Sequence, residues 1–162
     1  MANYSNFYAA LNTKLLASTT LAAAISDAAA NHVRQERYAC ISKDGPRDHD
    51  LYLGTGPILY IIPSSCDYQP LTEQNAKNEG VLEMDVHSRV ANATISTFTD
   101  HIKFVDDLVV ELMQGADGTG GTPSWLSGKG IKLRASLESP EQLAMTEYRT
   151  KVKFRATLLP AV

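Results

Sequence analysis

Apolar and polar residues alternate along Val81–Val90, VLEMDVHSRV. Leu82, Met84 and Val86 take one set of positions; Glu83, Asp85 and His87 take the other. Period two is the pattern of a strand with one face buried and the other wet. A slip of one residue would drive Glu83 and Asp85 into the core, so the register is well specified. The alternation returns in Ile131–Leu137 and in Tyr148–Leu158. The connection between these two, Glu138 to Glu147, is too short for a helical crossover, which makes the pair antiparallel. Pro57–Pro63, PILYIIP, predicts a short buried strand bounded by prolines.

Helical spacing appears three times. Tyr4, Phe7, Tyr8, Leu11 and Leu15 form one face of a helix capped by Asn3 or Ser5 and running to about Ser18. Thr20 can cap a second, Ala-rich helix from Leu21 to about Asn31. Thr97-Phe98-Thr99-Asp100 is a helix start signal. After it, Phe98, Ile102, Val105, Val109 and Leu112 form an apolar stripe, while Lys103, Asp106, Asp107 and Glu111 face away; Gly115 supplies the stop. His32–Ser42 is ambiguous, with Tyr38–Ile41 a possible strand. Long loops are expected at about 43–56, 64–79 and 115–130, the last Gly-rich with Trp125 inside it. The sum is a single α+β domain, a mostly antiparallel sheet with helices packed on one face, in the order α-α-β-β-β-α-β-β.

Composition changes this picture little. The 162 residues fit one domain with a self-sufficient core. Cys40 and Cys66 define no disulfide framework and read as reduced thiols. Met1–Ser5 carries no basic segment of a signal peptide, and no apolar run is long enough for a membrane span. The net charge is −3, but it is unevenly spread. Residues 1–128 hold fifteen acids and eight bases; residues 129–162 hold three acids and seven bases. That asymmetry predicts oppositely charged surfaces.

No catalytic or metal motif emerges. His32, His49, His87 and His101 lack zinc spacing with one another or with either cysteine. Asp44, Asp48, His49 and Asp50 could gather around a cation, but the periodicity of a calcium loop is missing and the segment reads as a solvated turn. Asp85 and His87 share a strand face, the minimum for a carboxylate-oriented base in a small hydrolase; no nucleophile motif accompanies them. Ser127-Gly128-Lys129-Gly130 fails the phosphate-loop pattern. Arg149, Lys151, Lys153 and Arg155 are four bases on one strand face, with Lys132 and Arg134 expected beside them. Such a stripe is either a solvated face that blunts edge pairing or a contact for an acidic partner. Glu83 and Asp85 are candidate complements, within one sheet or across subunits. A nucleic-acid module is disfavoured by net acidity and by the lack of interleaved aromatics.

The order of elements resembles the tail terminator (tail completion) proteins of long-tailed bacteriophages. The resemblance rests on an opening helix FYAALNTKLLAS, a short second helix, an apolar strand near a proline and a long alternating strand. A helix HIKFVDDLVVELM and a closing strand YRTKVKFRATL complete it. It spans about Phe7 to Leu158 and is weakest over Arg34–Asn78. It implies a non-enzymatic virion protein without cofactors, assembled in the host cytoplasm. Such a protein forms a homo-oligomeric ring, commonly a hexamer, on the head-proximal end of the tail. The ring meets the tail tube protein and the head connector, and genomic DNA passes through its lumen without specific binding. A head-closure, neck or tube protein of the same virion is the neighbouring expectation. DNA must slide freely, so acids should line the lumen, with Asp44, Asp48 and Asp50 as candidates. The subunit interface is expected to draw on Glu83, Asp85, Trp125, Lys132, Arg134, Arg149, Lys151, Lys153 and Arg155.

Overall fold

The computed structural model describes residues 3–34, 47–69, 78–89, 95–114 and 123–159. The possible strand Tyr38–Ile41 and the stop at Gly115 lie outside them. The elements are α1 (Tyr4–Leu16), α2 (Thr19–Ala24), β1 (Val33–Arg34), α3 (Arg47–Leu53), β2 (Ile58–Asp67) and β3 (Asn78–Arg89). Then follow α4 (Phe98–Met113), β4 (Ile131–Leu137), β5 (Glu141–Ala144) and β6 (Glu147–Leu158). The sheet order is β1-β2-β3-β6-β4, with β5 also paired to β6. All pairings are antiparallel except β1 with β2. This is the α+β, mostly antiparallel architecture that the alternation predicts.

Strand β3 sits at the centre, with Met84 opposite Ile61 on one side and Val152 on the other. Leu82, Met84 and Val86 join Leu59, Ile61, Val152, Phe154 and Leu158 beneath α1, α2 and α4. Each such fully buried aliphatic or aromatic side chain contributes ~1.5–3 kcal/mol relative to an exposed one. Helix α1 buries Phe7, Leu11 and Leu15, with Tyr4 and Tyr8 half-buried at its margins. Tyr4 also fastens the sheet. Its hydroxyl donates to the Val81 carbonyl (2.5 Å) and accepts from the Ser64 N–H (3.0 Å), at the point where β2 slips register between Pro63 and Ser65. Proline cannot donate to the ladder, and a bulge beside it is the usual accommodation. β2 therefore runs past Pro63 to Asp67 instead of ending at the proline, which takes Ser64–Asp67 out of the expected loop.

Several expectations about the helices change. Ser18, not Thr20, caps α2, accepting from the Leu21 N–H at 3.1 Å. The helix ends at Ala24 because the chain turns extended at Ile25 and docks on the segment before β2, where the Ser26 N–H donates to the Thr55 carbonyl. The buried stripe of α4 is His101, Phe104, Val105, Leu108 and Leu112, so Phe98 and Ile102 stand exposed. Glu111, expected to face away, turns inward to the start of α2. Finally, α3 occupies part of the predicted 43–56 loop. Its Leu53, with Tyr52 beside it, covers Ile58 and Tyr60 on the sheet face opposite the main core.

Candidate functional site

The cover provided by α3 overturns the expectation that Asp85 and His87 lie on a wet face: they are only 2% and 1% exposed. Asp85 pairs across the sheet with Tyr60 and Lys151, and His87 with Ile58 and Arg149. The face is polar in sequence and buried in fact, so its polar groups need partners.

Those partners come from elements far apart in the chain. His49 on α3 reaches down to the Tyr60 hydroxyl, 2.5 Å from its Nδ1, and to Glu147, whose Oε1 lies 2.8 Å from its Nε2. The same Glu147 oxygen is 3.3 Å from His87 Nδ1. The three rings pack closely. His49 stacks on Tyr60 at 5.7 Å between centroids, and His87 stands edge-on to both. Hydrogen bonds from His49 and then His87 hold the Glu147 carboxyl well below the usual carboxylate range, against the opposing pull of burial. The hydrogen-bonded acid of His87 is thus Glu147, which no linear spacing suggested. His49, read as part of a solvated turn, is the third member. Among the described residues, these three side chains also have the spacing that could hold a metal ion, with one donor atom of each lying within 4.8 Å of the others.

A second buried polar cluster lies on the opposite face. His101 Nδ1 is 2.6 Å from the Ser88 hydroxyl, and its Nε2 is 2.8 Å from the Thr150 hydroxyl. Burial, helped by His87, pulls the His101 pKa down to about 4. All three residues are sealed from solvent, so the cluster holds α4 on the sheet and offers no route to a substrate.

The basic stripe has the predicted geometry and an additional property. Arg149 pairs with Glu141, Lys151 with Glu83 (3.4 Å), Lys153 with Glu138 (3.8 Å) and Arg155 with Glu79 (3.7 Å). The complement to the stripe therefore exists within the sheet, as the Glu83 alternative allowed. Lys132 and Arg134 share that face on β4, opposite Thr157 and Arg155, and are exposed. Among the described residues, no ion pair engages either of them. The charge left over after internal pairing sits on this free edge. It continues into Leu137 (48% exposed), Leu143 (44%) and Met145 (91%).

Trp125, expected inside a long loop and at the subunit interface, folds back on its own chain. It is half-buried in a 3-10 turn, Ser124–Leu126, and its Nε1 donates to the Leu112 carbonyl at 2.8 Å. Ser124 N–H donates to the Gln114 carbonyl, so this turn satisfies the end of α4. Of the acids expected at a lumen, Asp44 and the Asp48 side chain lie outside the described residues. Asp50 is exposed and paired with Arg89 at 2.7 Å. Outside the clusters, an open groove between α2 and α4 is lined by Thr20, Ala23, Lys103 and Asp107. No protein-family model and no curated protein matches the chain.

Proposed function

We propose that this chain is a ring-forming structural subunit of a long-tailed phage, of the tail-terminator type. The observation that carries the reading is the free edge of the sheet. Over Lys132–Met145 it presents two bases that no ion pair engages among the described residues and three exposed apolar side chains, Leu137, Leu143 and Met145. An edge strand with exposed apolar residues is a liability unless something covers it. The outer face of α4 is a fitting cover. Phe98, Ile102, Asp106 and Val110 recur every four residues along it and are all exposed. The edge is basic and apolar, the helix face acidic and apolar, and they are different patches of one chain. A heterologous contact of this kind closes into a ring when its rotation allows. The observed order, two helices, the β2–β3 pair, α4 and the closing β4–β6 pair, is compatible with the resemblance of the sequence.

In this reading the ring ends tail-tube polymerisation and receives the head connector, while DNA passes through without specific contacts. The experiment is tube assembly followed by electron microscopy. The tube protein of the same phage, polymerised with and without this chain, should give capped tubes with density at one end only when it is present. Tubes of unchanged length and uncapped ends would refute the role.

A further inference from the structure

We infer that His49, His87 and Glu147 form a binding site for a divalent transition-metal ion of the zinc class, which pins α3 to the sheet. Two imidazoles and a carboxylate converge from a helix and two strands, and the donor atoms lie within 4.8 Å of one another. Tetrahedral coordination with bonds of about 2.0–2.1 Å places neighbouring donors about 3.3 Å apart. Glu147 Oε1 is 2.8 Å from His49 Nε2 and 3.3 Å from His87 Nδ1, both within a few tenths of an ångström of that spacing, and all three donors lie within 4.8 Å of one another. Nitrogen and oxygen donors without thiolate suit zinc, cobalt or nickel; calcium and magnesium want oxygen alone.

The surroundings fit a ligand set as well. Tyr60 sits behind His49 with its hydroxyl on the ring nitrogen that faces away from Glu147, which orients the imidazole. Asp85, two residues before His87 on the same face, adds a buried acid nearby that favours a cation. His49 and Glu147 keep 14% and 17% side-chain exposure, against 2% for His87, so an ion has access from one side and a water can complete the shell. Helix α3 is seven residues long, too short to stand alone, and its apolar footing is the small cluster of Leu53, Ile58 and Tyr60. A metal cross-link to β3 and β6 gives that helix a second attachment.

The test uses the full chain, stripped with a chelator and then titrated with Zn²⁺ or Co²⁺ alone. The expected result is one ion per chain by calorimetry and a melting temperature that climbs with free Zn²⁺. The cobalt form should show the visible absorption of a low-coordinate site without a thiolate charge-transfer band, which excludes Cys40 and Cys66. His49→Gln and Glu147→Gln should each weaken binding by more than about a hundredfold. Tyr60→Phe, which removes only the partner behind His49, should cost about tenfold to a hundredfold. His49 stands at the accessible side, so its variant keeps the test usable even where a change at His87 unfolds the chain. Folded wild-type protein that takes up neither ion overturns the inference, as does equal affinity in the His49→Gln and Glu147→Gln variants. Either result would leave the cluster as a metal-free histidine–carboxylate network.

Discussion

Replacing Glu111 by Gln removes the charge that joins α4 to the start of α2. The carboxylate accepts from the Ser18 hydroxyl (2.6 Å), the Thr19 N–H (2.9 Å), the Thr19 hydroxyl (3.0 Å) and the Thr20 N–H (3.3 Å). Lys14 approaches to 4.0 Å. An anion at a helix N-terminus is worth about 0.3–1 kcal/mol, and up to ~2 where partly buried. A hydrogen bond to a charged group is worth ~1.5–3 kcal/mol. Gln keeps one accepting oxygen and turns the other into a donor facing donors, so the expected loss is roughly 2–3 kcal/mol. Burial alone would raise the Glu111 carboxyl, but the hydrogen bonds from Ser18, Thr19 and Thr20 bring it down to about 2, from an ordinary 4.5. A carboxyl depressed on folding adds stability that is fully present above its unfolded pKa and is lost as pH falls through the folded one. Urea unfolding should therefore show a constant gap between wild type and variant from pH 7 to 5, narrowing below about pH 4.5. A gap under about 0.5 kcal/mol at pH 7, or one that does not narrow in acid, would refute the assignment.

Three further outcomes follow from the same geometry. His101 is buried neutral with its pKa down at about 4, so wild-type stability should fall as pH drops from 6.5 towards 4, by at most ~1.4 kcal/mol per pH unit from this residue. His101→Gln should flatten that slope in urea titrations, and an unchanged slope would assign the dependence elsewhere. A side chain at Gly80 would begin 2.8 Å from the Tyr4 ring, so Gly80→Val should cost about 1–3 kcal/mol, and clearly less in a Tyr4→Ala background. In the ring, Arg134→Glu or Asp106→Arg alone should weaken assembly in sedimentation. The double exchange should restore it, while each isolated subunit keeps its stability within a few tenths of a kcal/mol.

Much of the fold was legible because period-two and helical patterns report burial directly. Strands β3, β4 and β6 and helices α1 and α4 stand where alternation and spacing placed them. The Thr97–Asp100 signal became a reciprocal capping box. The errors share a physical origin. On β3, Glu83, Asp85 and His87 read as a wet face because polarity does not by itself report exposure; a short helix, RDHDLYL, covers that face and brings His49 onto Tyr60 and Glu147, the acid that also bonds His87. Among the described side chains of α3 only Leu53 is fully buried, too little for a periodic signal. Glu111 looks like any exposed acid until α2 starts against it. The His49–His87–Glu147 cluster was invisible because its members are joined by tertiary packing and not by a fixed spacing. Trp125 gave the opposite lesson. A large apolar residue in a glycine-rich stretch is as able to close its own helix end as to await a partner.

Ring formation is the claim on which the functional reading depends, and native mass spectrometry of the purified chain measures it directly. The account predicts a discrete closed oligomer, with six copies as the reference value of the resemblance, and dissociation as ionic strength rises and the Lys132 and Arg134 edge is screened. A monomer at every protein concentration and at low salt would contradict it.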